Sequence, residues 1–126
     1  MKFVADEMLG KLAKWLRIIG LDVEYNNPFP DDLLLEKGAK EDRIILTRDR
    51  KIIGMENRPE CIFIEDDYPY DQLVYLLNRC NIDPLEKAFS RCIECNSLLK
   101  EISIEEVKGR VPPYVFATQK EYLSLI

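Results

Sequence analysis

The stretch Arg43-Ile44-Ile45-Leu46-Thr47-Arg48-Asp49-Arg50-Lys51 decides how this chain is read. Ile44, Ile45 and Leu46 form a β-branched-rich apolar run without polar alternation, the pattern of a strand covered on both faces, and so predict a central parallel strand. Thr47 and Asp49 follow directly. They place a hydroxyl and a carboxylate at that strand's carboxyl end, where open α/β sheets bind ligands. The plainer reading of Asp49 is a cap on a short helix beginning at Arg50.

The same strand-then-acid arrangement recurs on either side. Lys2-Phe3-Val4-Ala5 reads as a strand running into Asp6 and Glu7. From Met8 to Ile19 the apolar residues Leu9, Leu12, Ala13, Leu16 and Ile19 recur at helical spacing, and Gly20 supplies the stop. Lys11, Lys14 and Arg17 are expected on the opposite, solvated side of this helix, with a second reading as a phosphate-facing ridge near Asp6. Asp22 to Tyr25 reads as a second strand, ended by Asn26-Asn27-Pro28-Phe29-Pro30. Asp31 and Asp32 open a helix that Gly38 is expected to keep short; the adjacent pair leaves one carboxylate to cap and one to point outward. Arg50 to Met55 reads as a brief helical turn, and Cys61 to Ile64 as a fourth strand followed by Glu65, Asp66 and Asp67. A last helix is expected from near Asp71, with Leu73, Leu76, Leu77 and Cys80 on one face. Strands alternating with helices up to about Asp83 predict α/β architecture: a small parallel sheet flanked by helices, joined by right-handed crossovers.

Composition bounds the function. With 126 residues, 47% of them hydrophobic, the chain can hold one sizeable core and a small appendage. A net charge of -5 and a pI near 4.9 argue against broad electrostatic binding to nucleic acid, although a local basic patch is compatible with an acidic total. No apolar run reaches membrane-spanning length and the start has no secretory pattern, so a cytoplasmic location is expected. The absence of histidine excludes Ser-His and Cys-His nucleophile pairs and any histidine-ligated metal. Of the four cysteines, only Cys92 and Cys95 have an informative spacing; Cys61 and Cys80 are assigned to the core.

A parallel sheet gathers the carboxyl ends of its strands on one edge. Asp6, Asp49 and the pair Asp31 and Asp32 can therefore approach one another, and like charges so gathered repel unless a cation is present. Oxygen-only donors favour Mg²⁺ or Mn²⁺ over zinc or copper. Such an ion acidifies water and offsets charge on a phosphodiester, which points to metal-dependent phosphoryl chemistry. A phospho-accepting receiver domain is a weaker reading, because no fifth strand bears the lysine it needs.

The segments Lys2 to Asp22, Leu46-Thr47-Arg48-Asp49-Arg50 and Phe89-Ser90-Arg91-Cys92-Ile93-Glu94-Cys95-Asn96 resemble the Mut-seven C-terminal ribonuclease domain family, from Lys2 to about Lys120. The resemblance implies a PIN-like nuclease domain, here residues 1–85, followed by a zinc ribbon, here 86–126. It further implies a metal-dependent ribonuclease acting on RNA. Asp6 and Asp49 match the family's strand-end acids, Asp32 its helix-start acid with Asp31 a close second, and Thr47 the hydroxyl beside the site; Asp71 is a candidate fourth acid. Lys11, Lys14, Arg48 and Arg50 would then receive the RNA backbone.

The tail departs from the family pattern. Cys92 and Cys95 supply half of a four-ligand zinc site, and the second Cys-x-x-Cys expected after Val111-Pro112-Pro113-Tyr114 is absent from the sequence. Truncation, loss of the second knuckle, a disulfide, or zinc shared between two chains are all compatible with this pattern. Two functions from different classes follow: a Mg²⁺- or Mn²⁺-dependent ribonuclease, and a non-catalytic RNA- or protein-binding module that keeps the fold.

Overall fold

Four short strands carry the molecule: β1 (Lys2–Ala5), β2 (Asp22–Tyr25), β3 (Ile44–Thr47) and β4 (Cys61–Phe63). In the computed structural model, which describes residues 1–99, they pair in the order β2-β1-β3-β4, every pair parallel. Between them run α1 (Gly10–Ile18), α2 (Asp31–Lys40) and the single turn α3 (Arg50–Ile53), and α4 (Pro69–Cys80) follows the last strand. This is the expected α/β, PIN-like arrangement of a parallel sheet flanked by helices.

The unalternated apolar strands are covered on both faces. Phe3, Ala5, Val23, Leu46 and Ile62 pack with Leu12, Leu16 and Leu76 from α1 and α4, while Val4 and Ile45 pack with Leu34 and Ile52 from α2 and α3. Neighbouring residues of β1 and of β3 therefore point into opposite cores, as a period of two requires. Cys80 packs against the first core and Cys61 against the second, as assigned from sequence.

Two sequence expectations are corrected. α2 is not cut short by Gly38 but runs ten residues, from Asp31 to Lys40. Gly38 is buried, and a Cβ there would lie 2.9 Å from the Ile45 side chain, so the glycine is a packing requirement that lets α2 sit close on β3. Arg17 is not on a solvated face. It is 5% exposed, and its guanidinium donates to the carbonyls of Val23, at 2.9 Å, and Ile93, at 2.8 Å.

Those bonds finish an exposed sheet edge. β2 is an edge strand, and an edge with unpaired backbone groups invites aberrant pairing. Arg17 takes the Val23 carbonyl, and the Asn96 side-chain oxygen accepts from the Val23 N–H at 2.9 Å. Asn96 also donates to Asp22 at 2.7 Å, so the Cys92 to Asn96 turn is fastened to β2. Farther along, Phe89 N–H donates to the Ile18 carbonyl. Gly20, at φ +90°, allows the segment from Lys87 to Ser90 to pass so closely that a Cβ would collide with the Lys87 carbonyl oxygen. The tail from residue 100 onward, including the place assigned to a second cysteine pair, lies outside the described residues.

Asp22 is the hub at the opposite, amino edge of the sheet. Its Oδ1 accepts from Arg43 and from Asn96, both at 2.7 Å, and Arg43 also donates to the Phe3 carbonyl. Burial pushes the Asp22 carboxyl up, but the hydrogen bonds from Arg43 and Asn96 and the charges of Arg43 and Arg91 outweigh it and hold the group below its ordinary value. A carboxyl depressed in the folded state contributes stability above its unfolded value, about 3.9 for Asp, and loses it as pH falls through the folded value. Urea denaturation from pH 7 to pH 2 should therefore show wild-type stability falling below about pH 4, with a smaller fall in Asp22→Asn. Identical pH profiles for the two proteins would remove Asp22 from this role.

Candidate active site at the carboxyl edge of the sheet

β1 and β3 are neighbours, yet the chain leaves them toward opposite faces, into the α1 and α3 sides respectively. That divergence opens a crevice at their carboxyl ends, the place where such sheets bind ligands. Asp6 and Asp49 both lie there.

Asp6 follows β1 and is 6% exposed. A buried carboxylate is costly unless its oxygens are hydrogen-bonded, and this one is served by donors from both strands. Oδ1 accepts from Met8 N–H at 2.9 Å, starting the 3-10 turn that leads into α1. Oδ2 accepts from the Thr47 hydroxyl at 2.8 Å and from Arg48 N–H at 2.7 Å. Thr47 is fully buried, and the same hydroxyl accepts from Asp49 N–H at 2.9 Å. A continuous chain of hydrogen bonds thus runs from Asp6 through Thr47 to Asp49. Asp49 caps α3 as its plainer reading holds, Oδ1 accepting from Lys51 N–H at 2.8 Å.

The other expected acids are not gathered with these two. Asp31 and Asp32 stand exposed in the first turn of α2, Asp71 is exposed in the first turn of α4, and among the described residues no three acidic or thiol side chains are close enough to hold a metal ion together. The same holds for the cysteines: neither Cys61 nor Cys80 completes a group with Cys92 and Cys95. Cys95 Sγ lies 3.1 Å from Ser97 Oγ, and hydrogen bonding with Ser97 and then with Cys92 draws its thiol below the usual range.

The cations divide. Arg48 is committed to the loop after β4, donating to the carbonyls of Glu65 and Asp66 and to Asp67 Oδ1 at 2.8 Å. Arg50 is exposed with its guanidinium 4.5 Å from the centre of the Phe63 ring. Lys11 and Lys14 are exposed on α1, and none of the ion pairs among the described residues involves either.

Sequence reasoning missed Tyr25. It ends β2 in register with Ala5, and its hydroxyl donates to the Glu7 carbonyl at 2.7 Å, against the edge of α1 at Gly10. Burial, and then the charges of Glu7 and Asp6, raise its phenol above the ordinary value. The available signal was its place: the last residue of a strand parallel to β1, one position short of the level of Asp6.

Replacing Thr47 by Val keeps shape but leaves Asp49 N–H without its acceptor and Asp6 short of one donor. Chemical denaturation should show a loss of about 1–3 kcal/mol, the cost of an unsatisfied buried polar group, while Thr47→Ser retains most of the stability. Equal stability of Thr47→Val and wild type would mean that the hydroxyl links nothing of consequence.

Comparison with known proteins bears on the same residues. No curated protein and no solved structure matches the chain. A family profile described as Mut7-C RNAse domain matches residues 1–124, which include both strand-end acids, the Thr47 link and the cysteine turn. On that match over nearly its whole length, the chain belongs to the Mut7-C RNAse domain family.

Proposed function

We propose that the chain is a metal-dependent ribonuclease hydrolysing RNA phosphodiester bonds at the crevice between β1 and β3. The observation that supports this most is the Asp6, Thr47 and Asp49 chain of hydrogen bonds at the switch point of the sheet, in a family described as an RNase domain.

The donor set fits a hard divalent ion. Three of the roughly four lone-pair directions of Asp6 are taken by Met8, Thr47 and Arg48, while Asp49 Oδ2 has no hydrogen-bond partner among the described residues. Mg²⁺ is commonly held by one or two carboxylates with water and substrate phosphate completing its shell, so Asp6 and Asp49 suffice as protein ligands. Asp32, with Asp31 beside it, is the third acid of this proposal, exposed in the first turn of α2. When bound, Mg²⁺ or Mn²⁺ supplies positive charge against the phosphodiester and acidifies water. The chain's own part is positional: Thr47 and the Arg48 N–H orient Asp6, and Asp49 is held facing the crevice by its cap to α3. Lys11, Lys14 and Arg50 receive the RNA backbone, and Arg48 can join them only by giving up Asp67. Zinc at Cys92 and Cys95 would need two further ligands, from beyond residue 99 or from a second chain.

The second reading, a binding module that keeps the fold without chemistry, draws support from the same bonds, since Asp6 is already satisfied by protein donors. One substitution separates the two. Asn caps helices about as well as Asp, so Asp49→Asn keeps the α3 cap while removing a charge. Wild type should melt higher in millimolar Mn²⁺ than in chelator, because a ligand bound only to the folded state raises the midpoint. Asp49→Asn should melt at least as high as wild type in chelator, gain little from Mn²⁺ and fail to cleave RNA. No metal response in wild type, together with a less stable mutant, would make Asp49 architecture and favour the binding module.

A further inference from the structure

A groove of about 680 Å³ runs beside the candidate site between α1, the end of β2 and the cysteine turn. Lys11, Lys14 and Trp15 of α1 form one side, Tyr25 and Asn27 another, and Ile93 closes the end. It begins at Gly10 and Tyr25, the residues against which the 3-10 turn following Asp6 is fastened. The wall at Ile93 belongs to the turn that Arg17 and Asn96 hold in place.

The lining pairs aromatic rings with lysines. That is the combination by which proteins hold single-stranded nucleic acid without reading sequence, bases stacking on rings while cations follow the phosphates. The indole of Trp15 already carries Lys11 Nζ 5.6 Å from its centre. A cation over an exposed ring is the weaker partner, and a base stacked on the ring is the stronger one, so an arriving nucleotide can displace the ammonium toward its own phosphate. A base inside a duplex is stacked on both faces and has none to offer.

Resting on the ribonuclease reading, we propose that this groove is a nucleotide subsite that grips an unpaired RNA residue next to the phosphate at Asp6 and Asp49. Trp15 is its stacking platform, Lys11 and Lys14 are its phosphate contacts, and Ile93 makes the cysteine turn part of the substrate-binding surface. The subsite selects strand state, because a duplex cannot place a base against Trp15 without opening.

Trp15 is the only tryptophan in the chain, which makes selectively excited tryptophan fluorescence a report on this groove alone. In chelator, where no cleavage is required, a short oligouridine should quench that fluorescence and a blunt RNA duplex of equal length should not. With labelled oligouridine, Trp15→Leu, which keeps apolar bulk for the packed side of the ring, should bind about 10-fold more weakly. Neutralising Lys11→Gln and Lys14→Gln together should reduce the steepness of the salt dependence by about 1.4 in log units, two single-strand phosphate contacts. Ile93→Ser should weaken binding without altering the salt slope. Equal quenching by duplex, no quenching at all, or an unaltered salt slope in the double variant would each overturn the subsite. Failure of the parent reading has a different signature: a chain that binds as described but never cleaves with Mn²⁺ keeps the groove and loses the ribonuclease, whereas one that cleaves with unchanged Trp15 fluorescence keeps the ribonuclease and loses the groove.

Discussion

A carboxylate sunk between two strand ends sets the terms for everything around it. Asp6 is almost wholly shielded from water, and an ionised group in that position has to be met by donors or it destabilises the fold. Its three donors come from Met8 on its own side and from Thr47 and Arg48 across the crevice. Each bond to a charged acceptor is worth about 1.5–3 kcal/mol, enough to fix the loop after β1 and the loop after β3 relative to each other. The register of β1 with β3, the start of the 3-10 turn and the entry into α3 are all tied to the one residue. A change at Asp6 therefore disturbs architecture and candidate chemistry together, whereas Asp49, held by one cap bond and one backbone bond, can be altered more selectively.

The second organising device sits on β2. Edge strands of small sheets need a cover, and here it comes from the tail and from α1: Asn96 and Arg17 complete the Val23 hydrogen bonds, and Asp22 binds both Asn96 and Arg43. The Cys92 to Asn96 turn is consequently part of the α/β unit's own packing. Its anchors among the described residues are backbone carbonyls, an amide side chain and a buried guanidinium. Because the same turn carries Ile93 to the groove beside α1, the edge cover and one wall of that groove are one piece of chain.

The chemistry is asymmetric across the crevice. Asp6 is rigid and nearly saturated with protein donors, which suits a residue that fixes position; Asp49 keeps an oxygen without a described partner, which suits one that meets a ligand. Capping and ligand binding are compatible at Asp49 because they use different oxygens. An acidic total charge is compatible with a local basic patch: among the exposed cations Lys11, Lys14 and Arg50 lie on elements bordering the carboxyl edge of the sheet, while Arg17, Arg43 and Arg48 are engaged in holding the fold.

The sequence by itself determined the element order, the parallel sheet and the two strand-end acids, because these follow from local signals: apolar runs of strand length, helical spacing, and acids directly after strands. Even the Thr47 hydroxyl was legible, standing two residues before Asp49. Tertiary structure alone decided which polar residues are spent on architecture. Arg17 shares helical spacing with Lys11 and Lys14, yet it is buried because a backbone edge and a turn 76 residues away need its donors. Gly38 looked like a helix breaker and proved to be the point where α2 meets Ile45, a distance that no local pattern encodes. Asp31 and Asp32 carry a ligand's chemistry at a helix start, but whether they join Asp6 and Asp49 depends on how α2 packs across the sheet, and among the described residues no three such acids form a group. Periodicity and residue type are properties of neighbours in sequence, whereas pairing across the crevice, burial of a cation and the shape of a groove are properties of neighbours in space.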